Sequence, residues 1–319
     1  MPAPLVQALS LTLPVLVVGH KNPDTDAIAS ALAMADLERQ QGRAALAIAQ
    51  GPPNPETAFV LQRCNLQAPP VRTSLARHPA LLVDHSDALL APDDLDPSQL
   101  VGIVDHHKLG GLQSDAPLRV MIEPVGSTAT LVTELYQKAA RPIPRPLACG
   151  LLAAVLSDTR SFQSPTSTAQ DRRAAEVLAP LAGIRDPRAF GATMLQAYGR
   201  AMAARSDLEL ITTDFKLFTM GSQRVGVSQI EAPTIAFVLE RRQSLLAAME
   251  AERQRLGLHS LLLMATDVPR LGTELFVVST DPGTVEQAFQ IQLREGSAWV
   301  AGMISRKRQL VPAIQAALR

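Results

Sequence analysis

Gly19-His20-Lys21-Asn22-Pro23-Asp24-Thr25-Asp26 places one imidazole and two carboxylates in the spacing H-x-x-x-D-x-D, directly after the apolar run Val15 to Val18. The same grammar returns further on. Leu81-Leu82-Val83 runs into Asp84-His85, Val101 to Val104 into Asp105-His106-His107, and Leu151 to Leu156 into Ser157-Asp158. Imidazole nitrogen with carboxylate oxygen, and no thiolate, suits Mn, Fe, Co or Zn. Asp84 and Asp158 follow apolar runs and would be costly to bury unless paired or metal-bound. The carboxylates outnumber what one divalent ion needs, which points to two metals sharing a bridging carboxylate.

These residues need elements to carry them to one place. The four apolar runs read as buried strands, and open parallel sheets place ligand sites beyond the carboxyl ends of their strands. Ile28 to Gln41 has helical periodicity, with Gly42 as its C′ residue. Ala44 to Ala49 reads as a strand and Pro55 to Leu66 as a helix. Gly126-Ser127-Thr128 opens a helix through Lys138, capped by Ser127 or Thr128. Its N-terminus could also hold phosphate, although capping explains the residues at least as well. Alternating elements predict an α/β fold with a mainly parallel sheet flanked by helices.

The pattern changes near residue 200. A helix over Ala197 to Leu210 precedes short strands at Lys216 to Met220 and Arg224 to Gln229. A long amphipathic helix over Ala232 to Leu256 follows, then strands at Leu261 to Ala265, Glu274 to Ser279 and Trp299 to Ser305. The last strand ends in Arg306-Lys307-Arg308. Two domains are expected, 1–198 and a smaller α/β domain 199–319, with polar sites facing across a cleft.

Composition narrows the function classes. The 319 residues are 47% hydrophobic and 3% aromatic, enough for a large aliphatic core. Formal net charge is zero, and aromatic stacking residues are few, so nucleic acid is not an expected partner. No apolar run is long enough to span a membrane, and Leu5 to Val18 lacks the basic n-region of a secretory signal. Cys64 and Cys149 lie far apart without metal-type spacing, so neither a disulfide framework nor a thiolate zinc site is expected, and a reducing cytoplasm fits best. Only five of the 30 cationic side chains are lysine, among them Lys21, Lys108, Lys216 and Lys307 in or near these motifs. Lysine at such places suits a compact point charge that a guanidinium fork does not imitate.

In order along the chain, GHKNPDTD, VDHHK, EPVGSTAT, SDTRSFQSPTSTAQD and SRKRQLVP resemble the motif series of the family II inorganic pyrophosphatases, manganese- or cobalt-dependent members of the DHH phosphoesterase superfamily. The resemblance covers about residues 15 to 312. It implies an N-terminal DHH domain, a C-terminal DHHA2-type domain and a homodimer formed through the N-terminal domains. It implies hydrolysis of pyrophosphate to two phosphates by a metal-activated bridging water, with Mn²⁺ or Co²⁺ at two sites and Mg²⁺ accompanying the substrate. His20, Asp24 and Asp84 would hold one metal; Asp26, His106 and Asp158 the other, with Asp84 bridging. His107 would face the phosphates, and Lys216, Ser305, Arg306 and Lys307 would grip them from the C-terminal domain. Asp105 and His85 would orient ligands from behind.

Two positions depart from the pattern: Ala27 where many relatives carry serine, and Ser86 where asparagine is common. Nothing interrupts the stretch from the DHH motif to Glu123, so inserted nucleotide-sensing CBS domains, and direct adenine-nucleotide control, are not expected. The alternatives are a DHH phosphodiesterase or exopolyphosphatase acting on short oligonucleotides, cyclic dinucleotides or polyphosphate, and a non-catalytic metal-dependent binding protein. The glycine-rich GGGH-like signature of the phosphodiesterases is not found.

Overall fold

The computed structural model describes residues 13–232 and 234–318. They form two compact units, the first ending at Met194 and the second beginning at Leu195.

The first unit runs β1 (Val15–Val18), α1 (Thr25–Gln40), β2 (Ala45–Ile48), α2 (Pro55–Arg63), β3 (Ala80–Val83), β4 (Leu100–Asp105), β5 (Arg119–Ile122), α3 (Thr128–Lys138), α4 (Arg145–Asp158), α5 (Ala169–Ala182) and the start of α6 (Pro187–Ala203). The five strands make one all-parallel sheet in the order β2-β1-β3-β4-β5. Alternate residues leave opposite faces of a strand, and the core divides accordingly. Val17, Leu81, Val83 and Val104 pack into the helical layer with Leu131, Leu151, Leu152 and Leu178. Leu16, Val18, Leu82 and Ile103 pack instead against loop residues Leu75, Leu95, Leu112 and Leu118. The helices thus cover one face and loops the other, because β3, β4 and β5 are joined without long helices.

Gly42, with φ +85°, ends α1 as expected. Gly19 allows a close approach: a Cβ there would lie 2.7 Å from the Ala27 Cβ and 2.9 Å from its carbonyl oxygen. That contact seats the first turn of α1 against the end of β1 and sets His20 beside Asp24. It also accounts for a small residue at Ala27.

Several expectations are corrected. Leu151 to Leu156 is not a strand; it lies in α4, where Leu147 to Leu156 is buried without a break. A helix inside a helical layer loses its polar stripe and then reads like a buried strand. Asp158 therefore arrives from a helix C-terminus. Cys64 and Cys149 form a disulfide, with Cα atoms 5.5 Å apart. The end of α2 packs on α4, so a separation of 85 residues conceals a tertiary neighbour.

The second unit continues with α7 (Asp207–Ile211), β6 (Lys216–Met220), β7 (Gln223–Ala232), α8 (Ala236–Leu239), α9 (Arg242–Leu256), β8 (Ser260–Asp267), β9 (Gly272–Ser279), α10 (Pro282–Phe289), β10 (Ser297–Ala301) and α11 (Val311–Ala317). Its mixed sheet has the order β10-β9-β8-β7-β6, parallel only between β7 and β8. Leu261, Leu263 and Ala265 of β8 face the cluster with α7 and α9. Leu262 and Met264 face the cluster containing Leu310 and Ile314. The single long helix expected from Ala232 is really the end of β7 followed by α8 and α9. The expected strand to Ser305 stops at Ala301, and Arg306–Leu310 winds into a π-helical turn, a form frequent at functional sites.

Candidate metal centre

β1, β3 and β4 end side by side and deliver His20, Asp84 and Asp105-His106-His107 to one rim. α1 adds Asp24, its N-cap, and Asp26 in its first turn; α4 adds Asp158 at its last residue. Asp84 sits at φ +62°, a conformation that aspartate tolerates better than most residues and that clusters at functional sites.

Three overlapping groups present donor atoms within 4.8 Å of one another: His20, Asp24 and Asp84; Asp26, Asp84, His106 and Asp158; and Asp84, His106 and His107. Asp84 belongs to all three. Its Oδ2 lies 3.4 Å from His20 Nε2, and its Oδ1 lies 3.4 Å from His106 Nε2. Asp24 Oδ2 is 3.5 Å from His20 Nε2, and Asp158 Oδ2 is 3.7 Å from His106 Nε2. These separations exceed a direct hydrogen bond and suit donors that share a cation.

The imidazoles are oriented for that. His20 Nδ1 donates to the Lys21 carbonyl at 2.8 Å and His106 Nδ1 to the Val125 carbonyl at 3.0 Å. A carbonyl only accepts, so each Nδ1 carries a hydrogen, and the Nε2 edge faces the carboxylates, where loss of its proton leaves a lone pair for a metal. Histidine ligands are ordinarily held this way by a second partner. Asp26 is fully buried and receives the Thr128 N–H at 2.6 Å, the Ala129 N–H at 2.9 Å and the Ser30 hydroxyl at 2.9 Å. The N-terminus of α3 is thus spent on Asp26, and the phosphate reading of Gly126-Ser127-Thr128 is set aside. Ser127 caps α3 as expected.

The charges are mismatched as they stand. Burial, then the neighbouring Asp84, pushes Asp26 up to about 7. Burial, with Asp26 and Asp24 close by, holds Asp158 well above the usual carboxylate range. For Asp84 burial acts upward, but the imidazoles of His106 and His20 beside it outweigh burial and hold it well below that range. Burial lowers His106, yet Asp84 outweighs burial and raises it to about 9. Carboxylates crowded beyond the supply of positive charge fit a site completed by divalent cations.

His107 Nδ1 meets Asp105 Oδ1 at 3.0 Å, and the His107 side chain is 37% exposed, so its Nε2 edge is open to a ligand. His85 donates Nδ1–H to the Val83 carbonyl at 2.9 Å, and burial drops its pKa to about 4, leaving a neutral ring. Ser86 donates to the Lys108 carbonyl at 3.1 Å, tying the β3 end to the loop after His107. Lys21 is engaged by Asp93 at 2.6 Å.

In the second unit, Lys216 opens β6 and is exposed; Lys307 is exposed on the turn that Ser305 caps. Arg306 is buried. Its Nη2 meets the Asp214 carboxylate at 3.0 and 2.9 Å, and its Nη1 donates to the Asp214 carbonyl. Its Nε has no hydrogen-bond partner among the described residues. Sequence reading missed Thr128 and Ser30 as donors to the centre. It also missed Glu56, whose carboxylate accepts from Thr25 at 3.0 Å and from Ser157, joining the helix ends that carry Asp26 and Asp158. Ser30, four residues from Asp26 on one helix face, was the most accessible of these from spacing alone.

Comparison with known proteins covers nearly the whole chain. Residues 14–156 match the DHH family N-terminal domain and residues 193–317 the DHHA2 domain. The chain is 38% identical to a protein of Streptococcus mutans named probable manganese-dependent inorganic pyrophosphatase, over 93% of this chain and 96% of that one. An Archaeoglobus fulgidus protein of the same name is 38% identical over 95% and 98%. A solved Methanococcus jannaschii structure, assigned to the family II inorganic pyrophosphatases, superposes with TM-score 0.78 at 35% identity, covering 95% of this chain and 99% of that one. An exopolyphosphatase-related protein of Bacteroides fragilis, 13% identical with TM-score 0.50, shares the fold alone. Its motifs in order, its two matched domains and its near-complete alignment to these relatives place the chain in the manganese-dependent, family II inorganic pyrophosphatase family.

Proposed function

We propose that this protein hydrolyses inorganic pyrophosphate to two phosphates at a centre holding two divalent ions, Mn²⁺ or Co²⁺, with Mg²⁺ accompanying the substrate. The observation that carries the reading is the division of the Asp84 carboxylate, one oxygen toward His20 and the other toward His106. His20, Asp24 and Asp84 would hold one ion, and Asp26, Asp84, His106 and Asp158 the other. When bound, such ions polarise phosphoryl oxygens and bring the pKa of a shared water from about 15.7 towards about 7.

The chain's own residues do the remainder. His20 and His106 keep their lone pairs aimed at the centre through carbonyl-anchored Nδ1–H groups. Asp105 holds His107 by Nδ1, so His107 can offer Nε2–H to a phosphate oxygen of the substrate or the departing product. Lys216 and Lys307 supply point charges, Ser305 a hydroxyl, and Arg306 a planar fork suited to phosphate. The proposal includes a homodimer formed through the first unit. No helix among the described residues is long and apolar enough to cross a membrane. A cytoplasmic location is also proposed, in which the Cys64–Cys149 disulfide would be an exception to the usual reduced state.

The test is phosphate release by protein stripped of metal and reloaded with Mn²⁺ plus Mg²⁺, with pyrophosphate, a dinucleotide and a polyphosphate in parallel. Rapid Mn²⁺-dependent release from pyrophosphate alone is expected; preference for either other substrate would overturn the assignment. A related expectation concerns protons. In the metal-free protein at neutral pH, Asp26, near 7, is partly protonated and His106, near 9, almost fully so. Ligands must be deprotonated to bind, so Mn²⁺ should displace protons and bind more tightly as pH rises through this interval. Calorimetric titration in buffers of different ionisation enthalpy reads the proton count; a buffer-independent heat would contradict the expectation.

A further inference from the structure

We propose that Thr128 is a positioning residue that fixes the rotation of the Asp84 carboxylate, and so sets Asp84 to serve both ions; this rests on the two-ion reading above. Rotation of that carboxylate about its own axis decides which oxygen faces which histidine. Asp84 is 1% exposed, so bulk water does not hold it. The Thr128 hydroxyl donates to Oδ1 at 3.0 Å, the oxygen that faces His106.

Thr128 has little freedom to do otherwise. It is fully buried at the first position of α3, and its own N–H is committed to Asp26 Oδ2 at 2.6 Å. The flanking backbone is pinned as well. Gly126 N–H and the Thr130 hydroxyl both donate to Asp171, and Ala129 N–H is shared by Asp26 and Ser127. One residue thus touches, through two atoms, two of the carboxylates that form the centre.

The competing reading is a buried threonine whose hydroxyl merely needs a partner. The same helix supplies a comparison. Thr133, also buried, returns its hydroxyl to the Ala129 carbonyl at 2.7 Å, the ordinary local solution for threonine within a helix. Thr128 instead aims at a carboxylate 44 residues away in sequence.

The experiment titrates metal-free wild-type, Thr128→Val, Thr128→Ser and Thr133→Val proteins with Mn²⁺ by calorimetry and melts each without metal. Partners behind a metal ligand typically contribute about 10- to 100-fold in affinity, and a loss of that size is expected for Thr128→Val. Thr128→Ser, which keeps the hydroxyl, should stay within about threefold of wild type, under ~1 kcal/mol. Thr133→Val should lower the melting temperature and leave Mn²⁺ affinity in place. Wild-type affinity in Thr128→Val, or an equal loss in Thr133→Val, would overturn the proposal. Should Thr128→Val not fold, Thr128→Ala, without a branched group beside Asp84, is judged by the same criterion. Failure of the wild-type protein itself to bind Mn²⁺ would bring down the metal reading rather than the role of Thr128.

Discussion

Asp158→Asn is expected to raise the melting temperature of the metal-free protein while abolishing both Mn²⁺-induced stabilisation and pyrophosphate hydrolysis. Asp158 lies in a cluster with Asp26, Asp84 and His106, and burial together with Asp26 and Asp24 holds its pKa well above the ordinary value. The sign follows from linkage. A carboxyl raised in the folded state binds its proton more tightly there than in the unfolded chain, so ionisation opposes folding. That opposition grows as pH rises from about 4, the unfolded value, towards the folded value. A neutral amide of the same shape removes it. Relief of about 1–2 kcal/mol, the scale of partly screened repulsion, corresponds to a rise of a few degrees at ~2–4 °C per kcal/mol. The gap to wild type should close as pH falls below about 4, where the wild-type carboxyl becomes neutral in both states. With metal the order reverses, because the amide is a poorer ligand and the wild-type carboxylate gains a cation. A thousandfold loss of kcat/KM, about 4 kcal/mol, is expected. Normal hydrolysis by this variant would falsify the ligand assignment; a lower metal-free melting temperature would contradict the electrostatic account alone.

A functional centre that lowers the stability of its own scaffold is a common trade-off, and the groups that would do so here were not equally visible in the sequence. His20, Asp24, Asp26, Asp84 and His106 were legible because short apolar runs hand them to the ends of strands, and strand order in a parallel sheet gathers such ends on one rim. Asp158 was legible as a residue but misplaced as to element. α4 is buried on every side through Leu147 to Leu156, and hydropathy cannot separate such a helix from a strand. The disulfide between Cys64 and Cys149, the hydrogen bond from Thr128 to Asp84 and that from Ser157 to Glu56 span 85, 44 and 101 residues. Such pairings are set by packing of α1, α2, α3 and α4, and no local pattern encodes them. In the second unit the strand centres were readable as short apolar runs, of which Leu261 to Ala265 is the clearest. The break between α8 and α9 was hidden, because no glycine or proline marks it at Glu240-Arg241.

Arg306→Ala is expected to lower kcat/KM for pyrophosphate by about a hundredfold, ~2.7 kcal/mol, with Mn²⁺ affinity unchanged. The structure refines the sequence-based picture of a freely available fork. Arg306 is 6% exposed, and both terminal nitrogens are occupied by Asp214, two residues before Lys216. Asp214 itself is half exposed and sits at φ +44°, at the turn into β6. The pair therefore ties the π-helical turn at Arg306–Leu310 to the strand that starts with Lys216, bringing two of the proposed phosphate grips under one constraint. A carboxylate partner at a half-exposed position is a weak competitor for a guanidinium compared with a multiply charged phosphate, so substrate can share or displace it. Arg306→Lys should not restore activity, since an ammonium reproduces neither the two-pronged contact with Asp214 nor a planar grip on phosphate. The centre in the first unit uses none of these atoms, so Mn²⁺ binding by calorimetry should match wild type. Wild-type kinetics in Arg306→Ala would remove Arg306 from the substrate site. A parallel loss of Mn²⁺ affinity would show instead that the substitution had disturbed the fold.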